Sequence, residues 1–132
     1  KGRSDTGEEA FFRRQPEVEW HVMGDGFTWD TQDRSADTAS ARAGWEQARA
    51  FLNDSSIGLV VLDELNIALK YGYLDVTEVI TDLYSRPELQ HVIVTGRGAP
   101  EALIEAADTV TDMGMVKHAF KAGVQAQAGV EF

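Results

Sequence analysis

Two acidic side chains at the end of an apolar run are the first residues in this chain that could do chemistry. Leu59, Val60, Val61 and Leu62 are followed at once by Asp63 and Glu64. A carboxylate held where a buried strand ends can reach a Mg2+ ion on a bound triphosphate, directly or through water, because magnesium takes hard oxygen ligands and keeps several waters. The same pair also reads as a helix start, with Asp63 as N-cap and Glu64 supporting the first turn. A second stretch, Thr95-Gly96-Arg97-Gly98, would bring a guanidinium and free backbone N–H groups to phosphate, since glycine permits close approach and arginine offers a fork of donors. It serves as well for a tight strand-to-helix turn with a solvated arginine. A third, Gly24-Asp25-Gly26-Phe27-Thr28-Trp29-Asp30-Thr31-Gln32-Asp33-Arg34, sets two large aromatics among short polar side chains. A loop built this way either buries Phe27 and Trp29 under the domain or presents them to a flat partner. Lys117 and His118 form a fourth candidate, as an anion contact or as an exposed cationic pair.

Positioning these groups requires strands and helices in alternation, and the hydrophobic spacing supplies them. Residues 7–14 read as a short helix stopped before Pro16, acidic early and basic late, the order the helix dipole prefers. Residues 17–23 alternate polar and apolar, which predicts a strand with Val18, Trp20 and Val22 on one face. Asp37 can cap a helix to about Leu52, where Ala41, Trp45, Ala48 and Leu52 share a face and make Trp45 a core residue. The run 57–62 is nearly all apolar, as in a parallel strand covered on both faces. Leu65, Ala68 and Leu69 mark a short helix ending near Gly72. A second helix follows Asp75, which with Glu78 can form a reciprocal capping box, and it closes at Arg86-Pro87. Residues 91–95 form another apolar strand, Pro100 opens a helix through about Ala107, and 109–111 begin a last short strand. Residues 116–127 have no steady period and read as an irregular tail. His21 and His91 fall in strand-like runs and read as structural.

Strand and helix alternating in this way predict an α/β fold, an open and mainly parallel sheet flanked by helices with right-handed crossovers. The candidate groups then collect at the carboxyl ends of the strands, the rim where such sheets bind ligands.

Composition narrows the partners. At 132 residues one domain is expected, with 43% hydrophobic and 26% charged residues in an ordinary globular balance. Twelve Lys plus Arg against 22 Asp plus Glu leave a formal charge of −10, which disfavours a nucleic-acid backbone as partner. No run approaches the roughly 18 apolar residues of a membrane span. Without cysteine there are no disulfides or thiolate metal sites, a composition compatible with a reducing cytosol. No zinc-protease His pair, G-x-S-x-G elbow or cysteine nucleophile occurs in these residues. A phosphate loop of the form G-x-x-x-x-G-K-S/T is also missing from them.

Taken together the motifs resemble the P-loop-type ATP:corrinoid adenosyltransferases, also called cob(I)yrinic acid a,c-diamide adenosyltransferases. The matching segments are the aromatic stretch from Gly24 to Arg34, Val60-Val61-Leu62-Asp63-Glu64-Leu65-Asn66, Val94-Thr95-Gly96-Arg97-Gly98, and the stretch from Val116 through Phe120 to Gly129. They occur in the family's order and spacing and span nearly the whole chain. The resemblance implies a P-loop NTPase (RecA-like) fold and an enzyme that moves the 5′-deoxyadenosyl group of ATP to the cobalt of a reduced corrinoid, releasing triphosphate. Cob(I) is itself the nucleophile, so the protein's tasks are positioning and charge stabilisation. By the same resemblance Gly26, Phe27, Thr28 and Trp29 lie by the corrin. Phe27 and Trp29 there keep the lower axial ligand off cobalt. Asp63 and Glu64 match the Mg2+ and ATP end of the site, and Arg97 meets nucleotide or phosphate. The resemblance also implies a cytoplasmic homodimer that receives electrons from a flavoprotein reductant, with no nucleic-acid or membrane partner.

The family begins with a strand, a P-loop and a helix that these residues do not contain. The expectation is therefore of a single adenosyltransferase domain over 1–132 without its first strand and P-loop, inactive alone and inclined to self-associate through an unpaired strand edge. Two other readings are a non-catalytic corrinoid-binding module and a fragment of another P-loop NTPase whose aromatics are core.

Overall fold

The computed structural model describes residues 7–23 and 34–127. In chain order the elements are helix α1 (Gly7–Phe12), helix α2 (Arg34–Leu52), strand β1 (Leu59–Leu62), helix α3 (Leu65–Lys70), helix α4 (Val76–Ser85), strand β2 (His91–Val94), helix α5 (Glu101–Ala106) and a 3-10 turn at Ala119–Ala122. The described residues fall into two compact units, one drawn from 7–22 and 111–127 and the other from 23 and 34–110.

In the larger unit β1 and β2 pair in parallel, with Leu59 opposite His91 and Leu62 opposite Val94. Parallel neighbours need a crossover, and here α3 and α4 supply it. Trp45, Ala48 and Leu52 recur at helical spacing along α2 and meet Val60, Leu69, Val79 and Leu103, so every helix of this unit contributes to one core. Leu62, Val92 and Val94 pack against it from the sheet. The Trp45 Nε1 donates to Asp82 Oδ2 at 2.9 Å, and the Arg49 guanidinium lies 3.0 Å from the same oxygen as an ion pair. These contacts tie α2 to α4.

Among the described residues the sheet is covered on one face only. Val60 is 6% exposed, whereas Leu59, Val61 and Ile93 are 51%, 55% and 49% exposed. The expectation of a strand buried on both faces is thus corrected: the helices of this unit all pack on the Val60 side, and among the described residues nothing buries the other. Helix α2 starts at Arg34, earlier than expected, so Asp37 lies in its first turn, where its carboxylate accepts from the Tyr73 hydroxyl at 3.3 Å instead of capping the helix. Asp75 does cap α4, accepting from the amides of Thr77 at 2.7 Å and Glu78 at 3.4 Å. The return bond from Glu78 that would complete a capping box is not made among the described residues.

Gln90, 4% exposed, precedes β2 and secures the connection between α2 and β1. Its side-chain amide nitrogen lies 3.1, 3.1 and 3.0 Å from the carbonyls of Phe51, Asp54 and Ile57. An irregular connection packed against a core leaves carbonyls in need of donors, and the two N–H hydrogens of one glutamine are shared among three of them.

In the smaller unit, α1 carries an ion pair from Arg13 to the buried Glu9 at 2.8 Å. The Phe12 ring stacks on Trp20 with centroids 5.5 Å apart. Residues 17–23 form no strand: the chain turns, with the Val18 amide donating to the Gln15 carbonyl, and Trp20 satisfies its apolar character by stacking on α1. Alternation alone does not make a strand where no partner offers a ladder. Residues 109–111 likewise join no ladder. The tail is mostly irregular, as expected, apart from its 3-10 turn. No helix among the described residues is long and apolar enough to cross a membrane.

Candidate functional site

The carboxyl ends of β1 and β2 bring two of the sequence candidates together. The chain leaves β1 through Asp63 and Glu64 and leaves β2 through Thr95, Gly96, Arg97 and Gly98, and a set of hydrogen bonds stitches the two exits. The Thr95 hydroxyl accepts from the Glu64 amide at 2.9 Å and donates to Asp63 Oδ1 at 2.6 Å. The Thr95 carbonyl accepts from the Asn66 amide at 3.2 Å, and the Asn66 side-chain nitrogen donates to the Gly96 carbonyl at 3.1 Å.

The geometry decides between the two readings of the acidic pair. Glu64, not Asp63, occupies the N-cap position of α3. It does so in the left-handed conformation, φ 58°, with no side-chain capping bond. Asp63 is engaged by Thr95 through one oxygen, and among the described residues neither its second oxygen nor the Glu64 carboxylate has a partner. Both side chains are exposed. The helix-capping reading is therefore not realised, and the carboxylates are available to something else.

Gly96 has to be glycine. Its φ is 117°, and a Cβ there would lie 3.1 Å from the Asn66 Cβ and 3.2 Å from the Glu64 Cα. Gly98, at φ 72°, receives the stem of Lys70, whose Cδ would sit 3.0 Å from an added Cβ. Lys70, in the last turn of α3, thus lies against the same turn that carries Arg97. Both cations are exposed, and neither makes a hydrogen bond or ion pair among the described residues.

Asp63 and Glu64 suit a magnesium ion in one particular way. Mg2+ in nucleotide sites is held by one or two carboxylates together with substrate phosphates and water, not by an all-protein cage. No group of three or more acidic or histidine side chains able to hold a metal occurs among the described residues. Two hard-oxygen donors with free lone pairs, beside Lys70 and Arg97, fit the shared mode.

The remaining candidates fall elsewhere. Gly26, Phe27, Thr28 and Trp29 lie outside the described residues. Arg34, which ends that stretch, opens α2 and donates to the Tyr71 carbonyl at 3.2 Å. Lys117 is exposed. The His118 ring nitrogen Nδ1 accepts from the Phe120 amide at 3.1 Å, which makes it the cap of the 3-10 turn. His21 and His91 are exposed, with His21 3.4 Å from Glu19.

Sequence reasoning passed over Thr95, Asn66 and Lys70 as site residues. Their signal was present in outline: a hydroxyl ending the second apolar run, opposite the acidic pair ending the first. Only the parallel register, which sets Leu62 beside Val94, brings them into contact.

The chain is similar along its length to known proteins. Residues 1–132 match the family described as ATP:corrinoid adenosyltransferase BtuR/CobO/CobP. A corrinoid adenosyltransferase of Pseudomonas aeruginosa PAO1 is 65% identical over 133 residues, covering 100% of this chain and 66% of that protein. One of Sinorhizobium sp. is 46% identical over 135 residues, 100% of this chain and 63% of that protein. One of Escherichia coli K12 is 50% identical over 115 residues, 87% of this chain and 59% of that protein. The chain therefore spans about two thirds or less of the length of these relatives. With its strand-end acids, glycine turn and aromatic stretch all inside a match that runs its whole length, the chain belongs to the ATP:corrinoid adenosyltransferase family.

Proposed function

We propose that this chain forms part of an enzyme that transfers the 5′-deoxyadenosyl group of ATP to the cobalt of a reduced cob(I) corrinoid. In that reaction the cobalt electron pair forms the bond to C5′, the C5′–O bond breaks, and its electrons leave with triphosphate. Negative charge grows on the departing triphosphate, so fixed cations on that side lower the barrier. A Mg2+ ion on the phosphates would supply part of that charge. Asp63 and Glu64 hold and orient that end of the ligand, and Arg97 forks onto phosphate oxygen. Gly26, Phe27, Thr28 and Trp29 face the corrin, with Phe27 and Trp29 excluding a lower axial ligand from the cobalt. The fold type assigned is that of the P-loop (RecA-like) NTPases. A homodimer, a flavoprotein electron donor and a cytoplasmic setting belong to the same reading.

The observation that carries this proposal is that Asp63 and Glu64 leave the sheet side by side without capping the helix they precede. The test is to supply MgATP and chemically reduced cob(I)alamin and to follow the light-sensitive absorbance of the Co–C product, with the 132-residue chain and the natural full-length polypeptide assayed side by side. Glu64→Ala and Arg97→Ala in the full-length polypeptide are expected to lower transfer by about 100-fold, the scale on which electrostatic groups act in such sites. Full activity in both variants overturns the assignment. Corrinoid binding without transfer in the full-length polypeptide favours a binding module instead.

A further inference from the structure

The hydroxyl of Thr95 carries a single proton, and the structure shows where it goes. Because the oxygen accepts from the Glu64 amide, its own O–H is directed to Asp63 Oδ1 at 2.6 Å. That bond engages Oδ1 of the Asp63 carboxylate and leaves Oδ2 without a partner among the described residues. On the other side of the same residue, Asn66 holds the turn that follows. Its backbone amide donates to the Thr95 carbonyl and its side-chain amide nitrogen donates to the Gly96 carbonyl.

Asn66 adds an independent observation. It is 6% exposed, and its Oδ1 is buried with no hydrogen-bond partner among the described residues. A buried acceptor left unpaired is destabilising, so an apolar side chain would suit the core better at this position. What asparagine provides and an apolar residue could not is the bond to Gly96, which sets where the Gly96-Arg97-Gly98 turn stands relative to the acidic pair.

We propose that Thr95 is a positioning residue, holding Asp63 with its free oxygen outward while Asn66 fixes the turn bearing Arg97, so that both strand exits face one magnesium–nucleoside triphosphate ligand. This rests on the reading of Asp63 and Glu64 given under Proposed function. Outer-shell partners of metal-binding carboxylates are worth 10- to 100-fold in metal affinity when removed.

The test uses the natural full-length polypeptide with a non-hydrolysable ATP analogue and Mn2+, reading protein-bound metal by the enhancement of water-proton relaxation above that of the Mn2+–analogue complex alone. Thermal unfolding of each variant is recorded alongside. Thr95→Val is expected to weaken metal binding about tenfold, and Thr95→Ser, which keeps the hydroxyl, to restore it to within about twofold. Should Thr95→Val fail to fold, Thr95→Ala, which adds no apolar bulk, is read against Thr95→Ser in its place. A lower unfolding midpoint with metal affinity unchanged overturns the proposal and leaves Thr95 a structural link. Asp63→Ala separates the two levels. If it leaves metal binding intact, the magnesium assignment itself fails. If it weakens binding while loss of the Thr95 hydroxyl does not, only the positioning role fails.

Discussion

Glu64 stands in the left-handed region, φ 58°, where a side chain with a Cβ costs about 1–2 kcal/mol. Glycine would remove that strain, though its freer unfolded chain takes back roughly 0.4–1 kcal/mol. Glu64→Gly is therefore expected to raise stability by about 0.5–1 kcal/mol in urea titration while adenosyl transfer falls. A substitution that stabilises and inactivates together is the signature of strain kept for a site. If the variant were less stable than the parent, the strain would not be real. Thr95 and Asn66 explain how the strained backbone is held, since the Glu64 amide ends on the Thr95 hydroxyl.

At the scale of elements, α4 depends on its cap. The backbone amides of Thr77 and then Glu78 hold the Asp75 carboxyl below the usual carboxylate range. A depressed folded pKa means that the cap's contribution is complete above the unfolded value of about 3.9 and is lost as pH falls through the folded one. Asp75→Ala should therefore lower the thermal midpoint by a few degrees at pH 7 and by the same amount at pH 5, and the two curves should begin to converge only as the pH falls below about 4. A difference that does not shrink at all as the pH is lowered from about 5 through the acid range would show that the cap acts through something other than its charge. Capping of this kind was legible in the sequence, because Asp75 sits directly before an apolar stripe. The cap of α3 was not. Asp63 has the right residue type but stands one residue before the N-cap, and Thr95, 32 residues on, claims its oxygen; no local pattern announces a hydroxyl delivered by the neighbouring strand.

For the molecule as a whole, the alternation of strands and helices and the clustering of polar residues at strand ends could be read from hydrophobic spacing. The number of covered faces could not. An all-apolar strand looks the same whether one side or both are packed, and among the described residues β1 is packed on one. Val60→Ala should thus cost about 2 kcal/mol, as core truncations do, whereas Val61→Thr, one residue away on the open face, should change stability by less than about 0.5 kcal/mol. Equal effects in chemical denaturation would mean that the second face is covered after all. Strand 17–23 was misread for a related reason: its alternation is real, but Trp20 finds an aromatic partner in Phe12 before any strand. Phe27 and Trp29 fall outside the described residues.

Gln90 gives the molecule an order of assembly. The carbonyls it serves, at Phe51, Asp54 and Ile57, precede it by 39, 36 and 33 residues. During synthesis the end of α2 and the start of β1 emerge well before the side chain that completes their connection, so that stretch stays wet until β2 arrives. Once folded, the two regions should open together. In native-state hydrogen exchange the amides of Asp54 and Ile57 should share one opening free energy with Val92 and Val94 of β2, as members of one cooperative unit do. If the connection were found to exchange at low cost while β2 stays protected, Gln90 would be a local brace, and the chain would have no need to wait for it.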